Sequence, residues 1–271
     1  MITSRFEKIV SYTILILFSL SVAIPVIFLL LTAVSPSRTG QISLLNFQWA
    51  NFPNAWNQTN FGQHLLVSAL VTVAVVIGVL LIAPLAAYGL GVLNLPGHRW
   101  IFVVFLIGIL IPLEGVIIPL YFNLRSFGLI GNISGLVVAH IGLSMSFGIF
   151  WMRASFRAIP VSLIESARVD GANVVQVLTQ VLLPVAKPAI VTLGLLTFMW
   201  TWNDYFLAFV LVNNPDLLPA TVALGSFATK FTNEVNLMSA AAVMLAAPIL
   251  VLYIFFQRQF IAGVLSGALK G

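Results

Sequence analysis

At 271 residues, 61% of them hydrophobic and only 7% charged, the chain lies far from the composition of a soluble domain, in which about a quarter of residues carry charge. A mean hydropathy of +1.10 marks an integral membrane protein instead. The formal charge of +5 is scattered between apolar runs rather than clustered, which argues against nucleic acid as a partner, and the absence of cysteine excludes disulfides and thiolate metal sites.

Six apolar runs are long enough to cross a bilayer, which takes about 20 residues per helix: Ile9 to Val34, Leu65 to Leu93, Trp100 to Tyr121, Ile133 to Met152, Pro188 to Val212 and Ser239 to Phe256. The first follows Arg5 and Lys8 but exceeds a secretory h-region and ends without a small-x-small cleavage pattern, so it reads as a retained signal anchor. Between the first and second runs, Ser35 to His64 forms a long loop rich in Asn, Gln and aromatic residues; it is either an external contact surface or an ordinary connector. Between the second and third, Pro96-Gly97 marks a tight turn.

The basic residues orient these runs. With the N-terminus in the cytoplasm, Arg5, Lys8, Arg99, Arg153, Arg157, Arg168, Lys187, Arg258 and Lys270 face that side, and Arg38, Arg125 and Lys230 the other; nine and three make up the twelve Lys and Arg of the chain. This asymmetry follows the positive-inside rule and places both termini in the cytoplasm. Prolines 25, 84, 112, 119 and 248 fall inside the runs. Neighbouring helices can satisfy the backbone groups that such prolines free, so each either kinks its helix or simply reflects the higher frequency of proline in membrane helices.

Two acids lie within runs, where charge is costly and usually faces a bundle interior, a partner or a water-filled path. Glu114 in the third run either lines a pathway or caps a helix near the interface. Asp204 in the fifth is flanked by Trp200, Trp202, Asn203 and Tyr205. That cluster is either an interfacial aromatic belt or a sugar-binding or gate surface, since aromatic faces stack on sugar rings and Asn and Asp bond hydroxyls. The other acids and the three histidines show no catalytic or metal-ligand spacing, and neither a Gly-x-Ser-x-Gly elbow nor a phosphate loop occurs. A non-catalytic chain is expected.

The substantial polar island runs from Glu165-Ser166-Ala167-Arg168-Val169-Asp170-Gly171-Ala172-Asn173 to Leu183-Pro184. Ser162 and Glu165 have the spacing of a capping box after Pro160, and Gly171 can take the left-handed conformation that ends a helix. Gln176 and Gln180, four apart, share a face of the next helix. The pattern predicts a short helix, a turn and a half-buried helix.

Glu165-Ser166-Ala167, Asp170-Gly171-Ala172 and Leu183-Pro184 together resemble the EAA motif of ABC-importer permeases. Ile118-Pro119-Leu120-Tyr121, Arg125 to Leu129, Phe147 to Phe150 with Arg153 through Pro160, Thr197-Phe198 with Trp202-Asn203-Asp204, and the ending Gln257 to Gly271 are similar to the carbohydrate-uptake branch, in particular its shorter, MalG-like permease subunit. Ser166 replaces the usual middle Ala, and Val67-Ser68 stands where Asn-Ser is common.

The resemblance implies an all-α polytopic fold of six transmembrane helices, one permease domain with core spans over about 65–256, a coupling loop over about 153–187 and a cytoplasmic tail over 257–271. It implies that Ser162, Glu165, Ser166, Ala167, Arg168, Asp170, Gly171 and Ala172 seat a coupling helix in a separate ATPase, with Glu114, Trp202, Asn203 and Asp204 as candidates for the substrate path. ATP and Mg would be bound by the two partner ATPase subunits and no cofactor by this chain. The other implied partners are a second, homologous permease, an extracytoplasmic solute-binding protein reached by the loop Asn213 to Met238, membrane lipid, and a carbohydrate substrate. The implied location is the bacterial inner membrane. Glycerol phosphate or a peptide is the alternative solute; a self-sufficient secondary transporter would call for intramembrane charge pairs or an inverted repeat, and the sequence displays neither.

Overall fold

A computed structural model of the chain describes residues 5–37, 40–229 and 234–268. Arg38, Lys230 and Lys270 of the charge count, and the last three residues of the expected tail, lie outside the described residues. Among the described residues the fold is helical and contains no strand. Two compact units divide the chain, one formed from Met1–Gly62 with Ala223–Pro248, the other from Gln63–Val222 with Ile249–Gly271.

In the first unit α1 (Arg5–Ala33) is apolar on all sides and exposed almost throughout, the pattern of a helix whose solvent is lipid. Past its end the chain folds back through α2 (Asn51–Gln58). The buried Asn51 amide donates to the carbonyls of Ala33 at 2.9 Å and Ser35 at 2.8 Å, and its Oδ1 accepts from Asn236 at 3.3 Å. These bonds satisfy carbonyls left open at the end of α1. Asn51 thereby ties the start of α2 back to the end of α1.

The second unit is organised on α3 (Phe61–Gly91) and α6 (Ile133–Arg157). Along α3, Val67, Val71, Val75, Val79, Ala83 and Ala87 recur every fourth residue, and all are buried. They share one core with Leu136, Ala139, Ile149, Met152 and Phe156 of α6. Gly148 lets the backbones close up, since a Cβ there would stand 3.0 Å from that of Ala83. Small residues at such crossings suit helices in lipid, where packing rather than water exclusion drives association. Also packed on α6 are α4 (His98–Leu110) and α10 (Lys187–Asn203).

The third expected run, Trp100 to Tyr121, is not one rod. It breaks between α4 and α5 (Leu113–Ser126), whose axes differ by 109°. The cause is local: Ile111 precedes a proline and is extended at φ −79°, ψ 120°, a conformation its ring neighbour favours over the helical one. The fifth run is also shorter than expected. α10 stops at Asn203, and after an extended Asp204 the short α11 (Phe206–Leu211) begins. Among the described residues four helices are by themselves long and apolar enough to cross a membrane: α1, α3, α6 and the helix Val235–Ala268; counting two bent pairs as one span each, α4 with α5 and Val174–Val185 with α10, gives six.

Candidate functional site: the polar element after α6

α6 delivers the chain through Ala158, Ile159 and Pro160 into α7 (Val161–Val169). Ile159 and Ile164 are buried and fasten both ends of the entry. The expected capping box at Ser162 and Glu165 does not form. Pro160 occupies the cap position, no side chain caps the helix start, and Ser162 is already its second residue. Pro160 fixes its own φ and needs no donor partner, so the helix starts without one.

The exit from α7 is as the sequence predicts. Gly171 has φ +86°, its N–H donates to Arg168 O at 3.1 Å, and the Ala172 N–H donates to Ala167 O at 2.9 Å. Those two bonds make a complete Schellman turn. A Cβ on Gly171 would meet nothing within 4 Å, so glycine is required by the backbone angle and not by space.

A capping box does form one turn later. The Asn173 side chain accepts from the Gln176 N–H at 2.9 Å, and the Gln176 side chain accepts from the Asn173 N–H at 2.8 Å. Asn-x-x-Gln obeys the same rule as Ser-x-x-Glu and is the signal that sequence reading passed over. From there α8 (Val174–Gln176) runs into a π-helical stretch, Val177–Leu182, and then α9 (Leu183–Val185). The Leu183 N–H donates to Leu178 O, five residues back. Pro184, which has no N–H and whose ring would press on the carbonyl four residues earlier, suits such a widened turn.

This element is anchored underneath and open above. Ile164, Val177, Leu178 and Leu182 are buried in the core of the unit. The Tyr88 hydroxyl, near the end of α3, donates to Val174 O at 3.0 Å. Where α6 ends, Trp151 Nε1 donates to Ala189 O at 2.9 Å. Ser162, Glu165, Ser166, Arg168, Asp170 and Gly171 are exposed, with Ala167 and Ala172 half-buried beside them. Among these polar groups stand bare valines: Val169 is 87% exposed and Val175 65%. Apolar side chains ringed by polar ones on a rigid support make a surface suited to a protein partner.

The second set of expected residues is dispersed. Glu114 is exposed in the first turn of α5, just after the break, where a carboxylate favours the positive end of the helix. Trp202 is buried, with its ring stacked on Phe198 at 5.4 Å, and Asn203 donates to Met199 O at 2.8 Å. Asp204 caps α11, accepting from the N–H groups of Leu207 at 3.3 Å and Ala208 at 3.0 Å. It also pairs with His140 of α6 at 3.4 Å, while its backbone carbonyl accepts from Thr221 at 2.6 Å. His140, absent from the expected set, is thus the partner of the intramembrane acid. No group of three or more His, Cys, Asp or Glu residues that could hold a metal occurs among the described residues.

Residues 83–264 match the family described as "Binding-protein-dependent transport system inner membrane component", and the polar element lies inside that range. A diacetylchitobiose uptake system permease protein of Streptomyces coelicolor is 30% identical over 269 residues, covering 96% of this chain and 88% of its own length. The trehalose transport system permease protein SugB of Mycobacterium tuberculosis is 28% identical over 253 residues, covering 92% of each chain. Among solved structures, a chain of a bacterial ABC transporter involved in the import of the acidic polysaccharide alginate superposes with a TM-score of 0.81. It is 26% identical in sequence, and the match covers 96% of this chain and 99% of that one.

Proposed function

The chain belongs to the inner-membrane components of binding-protein-dependent transport systems, and from that premise we propose that it forms half of the translocation pathway of a bacterial ABC importer for a sugar or oligosaccharide. The relatives' substrates, a chitobiose derivative and trehalose among them, support the carbohydrate assignment. A second, homologous permease completes the path, an extracytoplasmic solute-binding protein delivers the solute, and two ATPase subunits hold ATP and Mg. The loop from Asn213 to Met238 is the reach toward the binding protein; its residues 230–233 lie outside the described residues. Both termini face the cytoplasm.

The observation that carries the coupling role is the α7–Gly171–α8 hairpin: exposed on one side and tied on the other to α3 by Tyr88. Movement of a partner seated on Glu165, Arg168, Asp170 and Val169 is passed to a membrane helix without a slack joint. This chain does no covalent chemistry itself; it converts closure of the ATPase pair into a change of access. The test is to purify the tagged chain from membranes with its companions and reconstitute the assembly in vesicles. Sugar uptake that requires ATP, binding protein and all companion chains is the expected result. Uptake by this chain alone, driven by a proton or sodium gradient, would overturn the reading.

A further inference from the structure

The chain beyond α1 carries a row of aromatic rings whose depth in the bilayer is set by α1. That helix has 29 residues, about 43 Å of length at 1.5 Å per residue, against roughly 30 Å of bilayer hydrocarbon and 40–45 Å with both headgroup layers. With Arg5 and Lys8 at one membrane surface, the end of α1 at Ala33 emerges in the headgroup layer of the opposite leaflet. The next segment is tied to that end. The Gln48 N–H donates to Val34 O at 2.7 Å, and the Asn51 amide donates to Ala33 O and Ser35 O. α2 therefore starts at headgroup level.

On α2, Asn51 and Ala55 are buried and form the stripe that faces the rest of its unit. Phe52 and Trp56, also four apart, occupy one flank of that stripe. Asn54 and Gln58 occupy the opposite flank, about 200° away around the helix. Trp49 extends the aromatic flank, its ring stacked on Phe52 with centroids 6.3 Å apart. The ring of Trp56 lies so close over Gly62 that a Cβ there would overlap it. Both tryptophans keep open surface, 68% for Trp49 and 45% for Trp56, and residues 39–63 contain no charged side chain. Tryptophan among uncharged polar groups suits the boundary between hydrocarbon and water. We propose that Trp49, Phe52 and Trp56 insert into the phospholipid headgroup layer of the leaflet opposite Arg5 and Lys8, with α2 lying along the membrane surface and Asn54 turned to water. Continuity selects lipid over a protein partner. α1 is exposed almost throughout its length, so the lipid that covers it reaches the row tied to its end. Inserted there, the rings fix how deep that end sits.

The test places a nitroxide on a single thiol introduced into the cysteine-free chain, in the intact assembly with its companions' cysteines replaced, reconstituted into vesicles of mixed phosphatidylethanolamine and phosphatidylglycerol. Power-saturation spectra compare collisions with oxygen, which concentrates in lipid, and with a nickel chelate confined to water. The expected result is a shift toward oxygen at Trp49→Cys and Trp56→Cys and toward the chelate at Asn54→Cys. Chelate-dominated collisions at all three positions would leave α2 in water and overturn the proposal. Shielding of Trp49→Cys and Trp56→Cys from both reagents would place a protein over the row, the second permease or the solute-binding protein, and equally overturn it. Because Trp56 packs on Gly62, its replacement can disturb the loop. Elution of each labelled assembly at the native size shows which variants have folded, and Trp49→Cys with Asn54→Cys is sufficient for the comparison. The readout is depth rather than transport, so failure here leaves the sugar-import reading standing.

Discussion

The hydroxyl of Tyr88 donates to the carbonyl of Val174 across 3.0 Å, joining the end of a membrane helix to the exposed hairpin that follows α6. The bond is the direct polar link from α3 to that hairpin, and the buried side chains of Val177 and Leu178 pack just beyond it. Tyr88→Phe keeps the ring and removes the donor. The expected loss is about 1 kcal/mol of local stability, with ATPase binding retained and less solute moved per ATP hydrolysed. Simultaneous measurement of uptake and hydrolysis in vesicles checks this; an unchanged ratio would show that the link carries no motion.

The turn at Gly171 separates two kinds of substitution. Ala there has room but must hold φ +86°, a strain of about 1–2 kcal/mol. Pro can neither reach that angle nor supply the N–H bonded to Arg168 O. Gly171→Ala is therefore expected to weaken co-purification of the ATPase mildly, and Gly171→Pro to abolish it with membrane insertion intact. Quantitative pull-down against membrane-fraction blotting distinguishes these outcomes.

Capping gives a paired comparison. Asn173→Ala removes one arm of a formed capping box and should cost about 1 kcal/mol, visible as faster hydrogen exchange at Val174 to Gln176. Ser162→Ala removes no cap, because Pro160 stands at the cap of α7, and exchange over α7 should not change. The reverse pattern would restore the cap to Ser162.

Asp204→Ala should be the most damaging single change in the membrane region. It leaves the N–H groups of Leu207 and Ala208 without their acceptor and His140 without its partner, a loss of about 3 kcal/mol. Asp204→Asn keeps one acceptor oxygen and should recover part of it. Thermal unfolding in detergent ranks the three proteins; equal melting temperatures would remove the structural role.

Which features could be read from sequence follows from how local their causes are. Gly171 and the apolar runs could be read because one residue or one window decides each. The break before α5 was only partly legible: Pro112 stood as one of five prolines inside the runs, and hydropathy, which sees composition, does not show that it acts through the conformation of Ile111 to turn the chain there. Ser162 misled because Pro160, read as lying just upstream of a cap at Ser162, itself takes the cap position. His140 and Asp204 meet only once α6 and α10 pack, and nothing in the spacing of the two residues signals the pair. The burial of Trp202 is likewise set by Phe198 and its surroundings rather than by the aromatic cluster in which it occurs.

The central claim, that the α7–Gly171–α8 hairpin seats an ATPase, can be tested with one cross-link, since the chain contains no cysteine. Val169→Cys would place a single thiol at a residue 87% exposed on the hairpin, with Leu45→Cys, at a residue 93% exposed in the loop after α1, as the control. The account predicts that, in membranes containing the whole assembly, Val169→Cys cross-links to an ATPase subunit in a nucleotide-dependent yield and that Leu45→Cys does not. Absence of that product from Val169→Cys, or its appearance from Leu45→Cys, would contradict the account.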